Sequence, residues 1–218
     1  MLNPNRYRLY REHKYICFFF HAVLKQAACM DFTNAADIES IKNELNNLKN
    51  LLQNHALHEE QQMHRLLKLK QSNVFQIAET QHQEHSVFFD YIEEKFNALE
   101  KEGKLTDKNF IGYEIYLDIR KFYSDSLLHF DYEERVMMPE LQRLFSDAEL
   151  KEIDHESYRQ MSAEQIFDMA SVLFPHMNRD DHHVFLADIK DCVPDKFALV
   201  WPKIAKLVSS QNASIVKI

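Results

Sequence analysis

The chain has 218 residues, a length that fits one ordinary domain or a compact domain with an appendage. Its 2 glycines and 5 prolines are too few for a sheet protein, and 45% apolar with 28% charged residues excludes a disordered or membrane-spanning chain. A net charge of −8 without a clustered basic face excludes nucleic-acid binding. We therefore expect an all-α protein with no nucleic-acid and no membrane partner.

Hydrophobic periodicity divides the first two thirds of the chain into four long helices. Asn3 followed by Pro4 predicts the start of the first helix. Gly103 predicts a left-handed stop after the third helix, and Thr106 predicts the N-cap of the fourth. Short connections between long helices are typical of an up-down-up-down four-helix bundle, which we expect over residues 1–145. The predicted helices span about 3–30, 35–70, 73–101 and 106–144.

The remaining residues, 146–218, predict three or four shorter helices. Capping-box patterns begin at Ser146, Ser162 and Asn178, and each is followed by apolar positions. We expect this C-terminal extension to pack on the bundle or at an oligomer interface. Whether these helices bind a protein partner or a second copy of the chain is therefore open.

The cysteines and the N-terminal residues indicate the cellular compartment of the protein. Cys17, Cys29 and Cys192 are odd in number and lack Cys-x-x-Cys spacing, which favours reduced thiols. A basic stretch followed by an apolar run imitates a targeting signal, but His21 and Lys25 interrupt that run. We expect a cytoplasmic protein whose first segment is a core helix.

Two histidines are each followed by a glutamate four residues later: His55 by Glu59, and His129 by Glu133. Four residues are slightly more than one helical turn, so each pair shares a helix face. Such a pair fits a satisfied buried pair, half of a metal site or a general-base pair. With 12 histidines in the chain, about one pair is expected by chance, so the spacing alone decides little.

The spacing between helices is more informative than the pairs themselves. His13 stands 42 residues before His55, and His85 stands 44 residues before His129. Each of these histidines lies on the apolar stripe of its predicted helix, at a similar height in the bundle. Several imidazoles and carboxylates in a dry centre are costly unless they bind cations. A metal site is therefore favoured, with a buried polar network as the alternative.

At these residues the sequence resembles the hemerythrin-like, or HHE cation-binding, family over roughly residues 5–145. The resemblance is carried by "REHKY", "LLQNHALHEE", "QHQEHSVFF" and "LLHFDYEERVMMPEL". It implies a bundle that holds two iron ions, bridged by an oxo or hydroxo group and by carboxylates. The ligands that it implies are His13, His55, Glu59, His85, His129 and Glu133.

Two features depart from the oxygen-carrying members of that family. The third helix offers His82 as well as His85, and either could be its ligand. Glu133 follows His129 by four residues, which is more similar to the members linked to iron-centre repair and iron sensing. Imidazole with carboxylate suits iron, although manganese remains open.

We therefore expect a di-iron protein that binds, senses or reacts with oxygen, nitric oxide or peroxide. The alternatives are an iron-responsive sensor or binding module without turnover, and an iron-handling protein. Whether the protein is an enzyme stays open. Other histidines, among them His64 and His183, are expected at the surface, as is Glu60.

Overall fold

A computed structural model describes residue 3 and residues 5–215, with side chains as far as residue 207. By packing, the chain divides into two units. The bundle unit comprises residues 16–140, and the C-terminal unit comprises residues 2–15 together with 141–218. In the described part of the chain all regular structure is helical, and no helix there combines the length and apolarity needed to cross a membrane.

The long helices form where periodicity predicts them. Asn34 caps the second helix by accepting hydrogen bonds from the backbone N–H groups of Ala36 and Asp37. The helices of the first 144 residues are α1 (His13–Cys29), α2 (Ala35–Glu59), α3 (Arg65–Leu69), α4 (Phe75–Lys101), α5 (Leu105–Tyr132) and α6 (Met138–Leu144). Helix α1 crosses from the C-terminal unit into the bundle unit at residue 16.

Salt bridges show that α2 and α4 are antiparallel. Lys42 pairs with Glu100, and Lys49, further along α2, pairs with Asp90, which lies earlier on α4. Helix α4 also packs on α5. The predicted helical bundle is confirmed.

Phenylalanine rings join α1 to α5. The ring of Phe20 lies 5.4 Å from that of Phe122 and 6.5 Å from that of Phe130. Aromatic pairs at these separations attract each other beyond the apolar area that they bury. The bundle interior between α1 and α5 is therefore aromatic.

A π-helical turn interrupts two of the long helices. Residues Glu60–His64 separate α2 from α3, and residues Glu133–Met137 separate α5 from α6. A π turn inserts an extra residue and is frequent at functional sites. As a result, buried side chains recur every four residues along both helices: His55, Glu59, Met63 and Leu67, and His129, Glu133 and Met137.

Three local predictions about helix ends are wrong. Helix α1 begins at His13, because residues 5–12 form no helix and Tyr10 adopts a left-handed φ of 66°. Gly103 has no positive φ, whereas Gln71, at the end of α3, has a φ of 57°. The N-cap of α5 is Lys104, so Thr106 lies inside the helix. Pro4 lies outside the described residues.

The C-terminal unit contains α7 (Asp147–Gln160), α8 (Ala163–Leu173), α9 (Arg179–Cys192) and α10 (Pro194–Ile215). All three predicted capping boxes are present, at Ser146, Ser162 and Asn178. These helices enclose a core of their own, which includes Ile166, Phe174, Phe185, Ile189 and Ile204.

Candidate metal centre

Two glutamates lie inside the bundle unit beside the two π turns. Glu59 is the last residue of α2, Glu133 opens its π turn, and both side chains are fully buried. Nε2 of His55 lies 3.2 Å from Oε1 of Glu59, and Nε2 of His129 lies 3.1 Å from Oε1 of Glu133. Both predicted His–Glu pairs therefore form.

His82 of α4 joins the two glutamates. Its Nε2 lies 3.2 Å from Oε2 of Glu59 and 3.7 Å from Oε1 of Glu133. One ligand atom each from Glu59, His82, His129 and Glu133 lies within 4.8 Å of the others. Donors from three helices thus converge on a volume that one cation can fill.

The outer nitrogens of two of these histidines have their own partners. Nδ1 of His129 lies 2.9 Å from Oε1 of Gln81, and Nδ1 of His82 lies 3.3 Å from Oε1 of Glu60. An acceptor at Nδ1 holds the proton of a neutral ring there and leaves the Nε2 lone pair facing inward. This arrangement is typical of histidines that bind metal. Glu60 is exposed, as predicted, and its carboxylate also orients His82.

His85, the predicted ligand of the third helix, is buried beside this group. Its ring lies 5.0 Å from the ring of His129 and 5.2 Å from that of Phe122. His85 also lines a cavity of about 390 Å³ between α2 and α4, which His82 shares, and one of about 280 Å³ between α4 and α5. His85 does not belong to the four converging donors, and its role as a ligand stays a prediction.

His13 is the first residue of α1 and lies in the C-terminal unit. Its side chain is buried, and its ring stacks on Tyr10 at a centroid distance of 5.0 Å. The burial agrees with a placement on the apolar face of its helix. Its role as a ligand also stays a prediction.

His64 was predicted to lie at the surface, and this prediction is wrong. His64 is fully buried, and its ring stacks on His82 at 5.8 Å with an interplanar angle of 8°. Neither ring nitrogen has a hydrogen-bond partner within the described residues. Burial lowers the pKa of His64, so the ring is held neutral beside His82.

Burial and charge act in opposite directions on the histidines of the centre. Burial lowers the pKa of His129 to about 2 and that of His85 to about 4, so both rings are neutral at pH 7. Burial also disfavours a charged His82, but Glu133 and Glu59 outweigh it and raise the pKa of His82 to about 10. The two glutamates therefore hold a positive charge between them, and a bound cation would take over that charge.

The donor set fits a metal ion. Imidazole and carboxylate donors without a thiolate suit iron or manganese better than a closed structural zinc site. These donors lie in a helical bundle, where metal sites are built from side chains of facing helices. The fold and the site together define a metal-binding helical bundle.

Comparison with known families identifies the family to which this metal-binding bundle belongs. The hemerythrin HHE cation binding domain matches residues 6–141, which is more than half of the chain. The chain therefore belongs to the hemerythrin HHE cation-binding family, and the resemblance found in its sequence is confirmed. No curated protein and no solved structure matches the chain.

Proposed function

We propose that the protein is a non-haem di-iron protein that binds, senses or reacts with a small molecule such as oxygen, nitric oxide or peroxide. One observation supports this most: Nε2 of His82 and of His129 faces two buried glutamates while an acceptor holds each Nδ1. At pH 7 Nε2 of His129 presents a lone pair to Glu133, and the proton on Nε2 of His82 lies where a cation could take its place.

The proposed ligands follow the family pattern. Glu59 and Glu133 would be the carboxylate ligands, because each is fully buried and both approach His82. The geometry favours His82 over His85 as the ligand from α4, since only His82 belongs to the converging donors. The remaining proposed ligands are His13, His55 and His129.

When bound, the irons would supply redox electrons and coordination positions that a small molecule can occupy. Residues of the chain itself control access to these coordination positions. The cavity between α2 and α4 reaches His82 and His85 past Leu52, Ala56 and Phe89. A wall that is largely apolar admits a small neutral molecule at little cost in desolvation, whereas a hydrated ion would lose its water.

The proposed outer residues position the ligands. Gln81 keeps the proton of His129 on Nδ1, and Glu60 holds the ring of His82 from the other side. Outer partners of this kind typically change metal affinity by about 10- to 100-fold. The site is therefore preorganised on helices rather than on loops.

Anaerobic titration with ferrous iron, followed by stopped-flow mixing with oxygen or nitric oxide, tests the proposal. We expect about two irons per chain and a fast spectral change that is lost in His129→Ala and kept in His183→Ala. Fewer than about one iron per chain after reconstitution would refute the proposal. An iron-loaded centre that reacts with none of these molecules would favour the iron-responsive binding module.

A further inference from the structure

The cavity between α4 and α5, called the α4–α5 cavity below, ends beside the metal centre. Its volume is about 280 Å³, and its buried lining residues are His85 and Phe122. Gln81, whose side chain contacts Nδ1 of His129, lines it as well. A second opening, distinct from the cavity between α2 and α4, therefore leads toward the same histidines.

The charges along the α4–α5 cavity favour a cation. Three carboxylates and one ammonium line it, those of Glu84, Asp118, Asp125 and Lys121. The cavity between α2 and α4 carries the carboxylate of Glu60, whose charge is balanced by the His82 ring that it contacts. A cleft with an excess of one sign of charge concentrates ions of the opposite sign. A ferrous ion is therefore drawn to the α4–α5 cavity rather than to the other one.

Asp125 is available to an incoming ion and lies near His85. Asp118 already accepts a 2.7 Å hydrogen bond from Lys95. Asp125 pairs with Lys121, but the side chains of both residues are more than half exposed. Exposed pairs of this kind add little to stability, so a divalent ion can displace the ammonium. Burial lowers the pKa of His85 and the Asp125 carboxylate opposes that shift, which places the carboxylate near the ring.

His85 brings a buried imidazole to the same cavity. The residue is 9% exposed, and its ring, unlike the rings of His82 and His129, has no hydrogen-bond partner among the described residues. Burying a polar group without a partner costs free energy, so such a group in a folded protein needs an explanation. A cation that passes through the cavity would give the ring the partner that it lacks.

The distance from the cavity to the converging donors is short. Asp125 stands four residues before His129 on α5, which is about one helical turn. The ring of His85 lies 5.0 Å from that of His129 and 6.4 Å from that of His82. His85 is not one of the four converging donors, but it lies beside two of them. An ion held by Asp125 therefore has the imidazole of His85 within reach before it meets His129.

We propose that ferrous iron enters the metal centre through the α4–α5 cavity, where Asp125 captures the hydrated ion and His85 passes it to His129. The inference rests on the proposed function, since it presupposes a centre that takes up iron. Asp125 and His85 set the rate of loading and leave the final coordination unchanged. A residue on the entry route changes the rates of association and dissociation by the same factor, because the free and the loaded states stay the same.

Loading kinetics of the metal-free, full-length protein test this route. Ferrous iron is mixed anaerobically with an excess of protein, and the iron still free at each time is trapped by a colorimetric chelator. Asp125→Asn should slow loading about three- to tenfold at low salt, because the cavity loses part of its attraction for cations. The difference should disappear at about 1 M salt, where the screening length is about 3 Å. Lys121→Gln should have the opposite effect and speed loading at low salt.

Asp90→Asn is the matched control for Asp125→Asn. Asp90 is also an exposed carboxylate that pairs with a lysine, Lys49, but it lines neither cavity. Its substitution changes the net charge of the protein by the same amount as Asp125→Asn. Loading should nevertheless stay near the native rate, because the charge that is removed lies away from the route.

His85→Ala distinguishes a residue on the route from a permanent ligand. It should slow loading at low and at high salt alike, because the imidazole acts after the ion has been captured. Titration to equilibrium should give the native iron affinity in this variant. His129→Ala, which removes a proposed ligand, should lose that affinity.

Three results would contradict these expectations, and they can be told apart. If Asp125→Asn loads as fast as Asp90→Asn at low salt, or if His85→Ala loads at the native rate, the α4–α5 cavity is not the entry route. If His85→Ala loses as much affinity as His129→Ala, His85 is a permanent ligand and does not pass the ion on. If the unmodified protein takes up no iron, the proposed function itself is wrong, and this result is recognised without any variant.

Discussion

Two regions of the molecule gather a pair of carboxylates, and they balance the charge differently. In the bundle unit, Glu59 and Glu133 face the imidazole of His82, whose charge depends on a single proton. In the C-terminal unit, Asp154 and Asp188 face Arg11, whose charge is permanent. A metal ion can replace the proton on an imidazole, whereas it cannot replace a proton of a guanidinium.

The contrast shows why buried acidic residues are not by themselves evidence of a metal site. The cluster around Asp188 is as polar as the bundle centre, yet its cations already complete it. What marks the bundle centre is the combination of carboxylates with imidazoles whose Nε2 atoms face inward while their Nδ1 atoms have partners of their own. Charge-removing substitutions should therefore act on metal binding in one region and on folding in the other.

Glu133→Gln should have the largest effect on metal binding. The amide keeps the shape of the side chain but removes a buried charge that a cation needs, so iron affinity should fall by more than about a hundredfold, beyond the usual loss of an outer partner. Isothermal titration of the metal-free protein with ferrous iron measures this. His183→Ala, at an exposed position, is the control. Native affinity in Glu133→Gln would mean that the glutamates are structural.

Removing the two histidines of α4 one at a time decides which of them is a ligand. His82→Ala should lose at least about tenfold more iron affinity than His85→Ala, because His82, unlike His85, is one of the four converging donors. His85→Ala should instead alter the rate of reaction with nitric oxide, since His85 lines two cavities. The reverse order of affinities would restore His85 as the ligand.

Asp188→Asn makes the corresponding change in the C-terminal unit. The neutral side chain leaves Lys151 and Arg11 with one negative charge too few in a buried place, which should cost about 3 kcal/mol of unfolding free energy. For a chain of this size the melting temperature should fall by roughly 6–12 °C. Thermal unfolding of metal-free protein measures the effect. A loss below about 1 kcal/mol would show that the cluster adds little to stability.

Iron itself should stabilise the bundle, with a somewhat smaller effect. Free ferrous iron at about 100 times its dissociation constant adds about 2.7 kcal/mol, which corresponds to roughly 5–10 °C in melting temperature. Calorimetry of metal-free and iron-loaded protein tests this, with Glu133→Gln as the variant that should not respond. Equal melting temperatures in the unmodified protein would indicate that the histidines and glutamates satisfy one another.

The parts of the fold that the sequence predicts are those with local causes. The capping boxes at Ser146, Ser162 and Asn178 are formed within four residues, so tertiary structure barely affects them. The pairs His55–Glu59 and His129–Glu133 follow from the pitch of one helix.

The wrong prediction for His64 traces to a π turn. An extra residue after Glu59 shifts the buried stripe by one position, so Leu67 is buried while Leu66 is half-buried, and His64 turns inward. After Glu133, Met137 is buried while Val136 is 41% exposed. Helix propensity contains no signal for an inserted residue, because the same residue types occupy α and π turns.

The predicted start of α1 is wrong for a different reason. Asn3 followed by Pro4 is a valid local start signal, but Arg6 and Tyr7 both contact Asp147, about 140 residues later. These contacts hold residues 5–12 out of a helix. Contacts between residues far apart in the sequence overrode the local preference for a helix. Such contacts are visible only in the folded structure.

Ser162→Ala, in the C-terminal unit, should have the smallest effect of these substitutions. The Ser162 hydroxyl accepts a 3.2 Å hydrogen bond from the N–H of Gln165, and the Gln165 side chain accepts one of 2.7 Å from the N–H of Ser162. Alanine removes the first bond and loosens the second, so unfolding free energy should fall by about 1 kcal/mol. Ser162→Asn should restore it, because asparagine caps a helix equally well. Since the cap touches neither Asp188 nor the bundle centre, iron affinity should not change in either variant. A drop in iron affinity with Ser162→Ala would contradict the distinction between a region that binds metal and a region that only stabilises the fold.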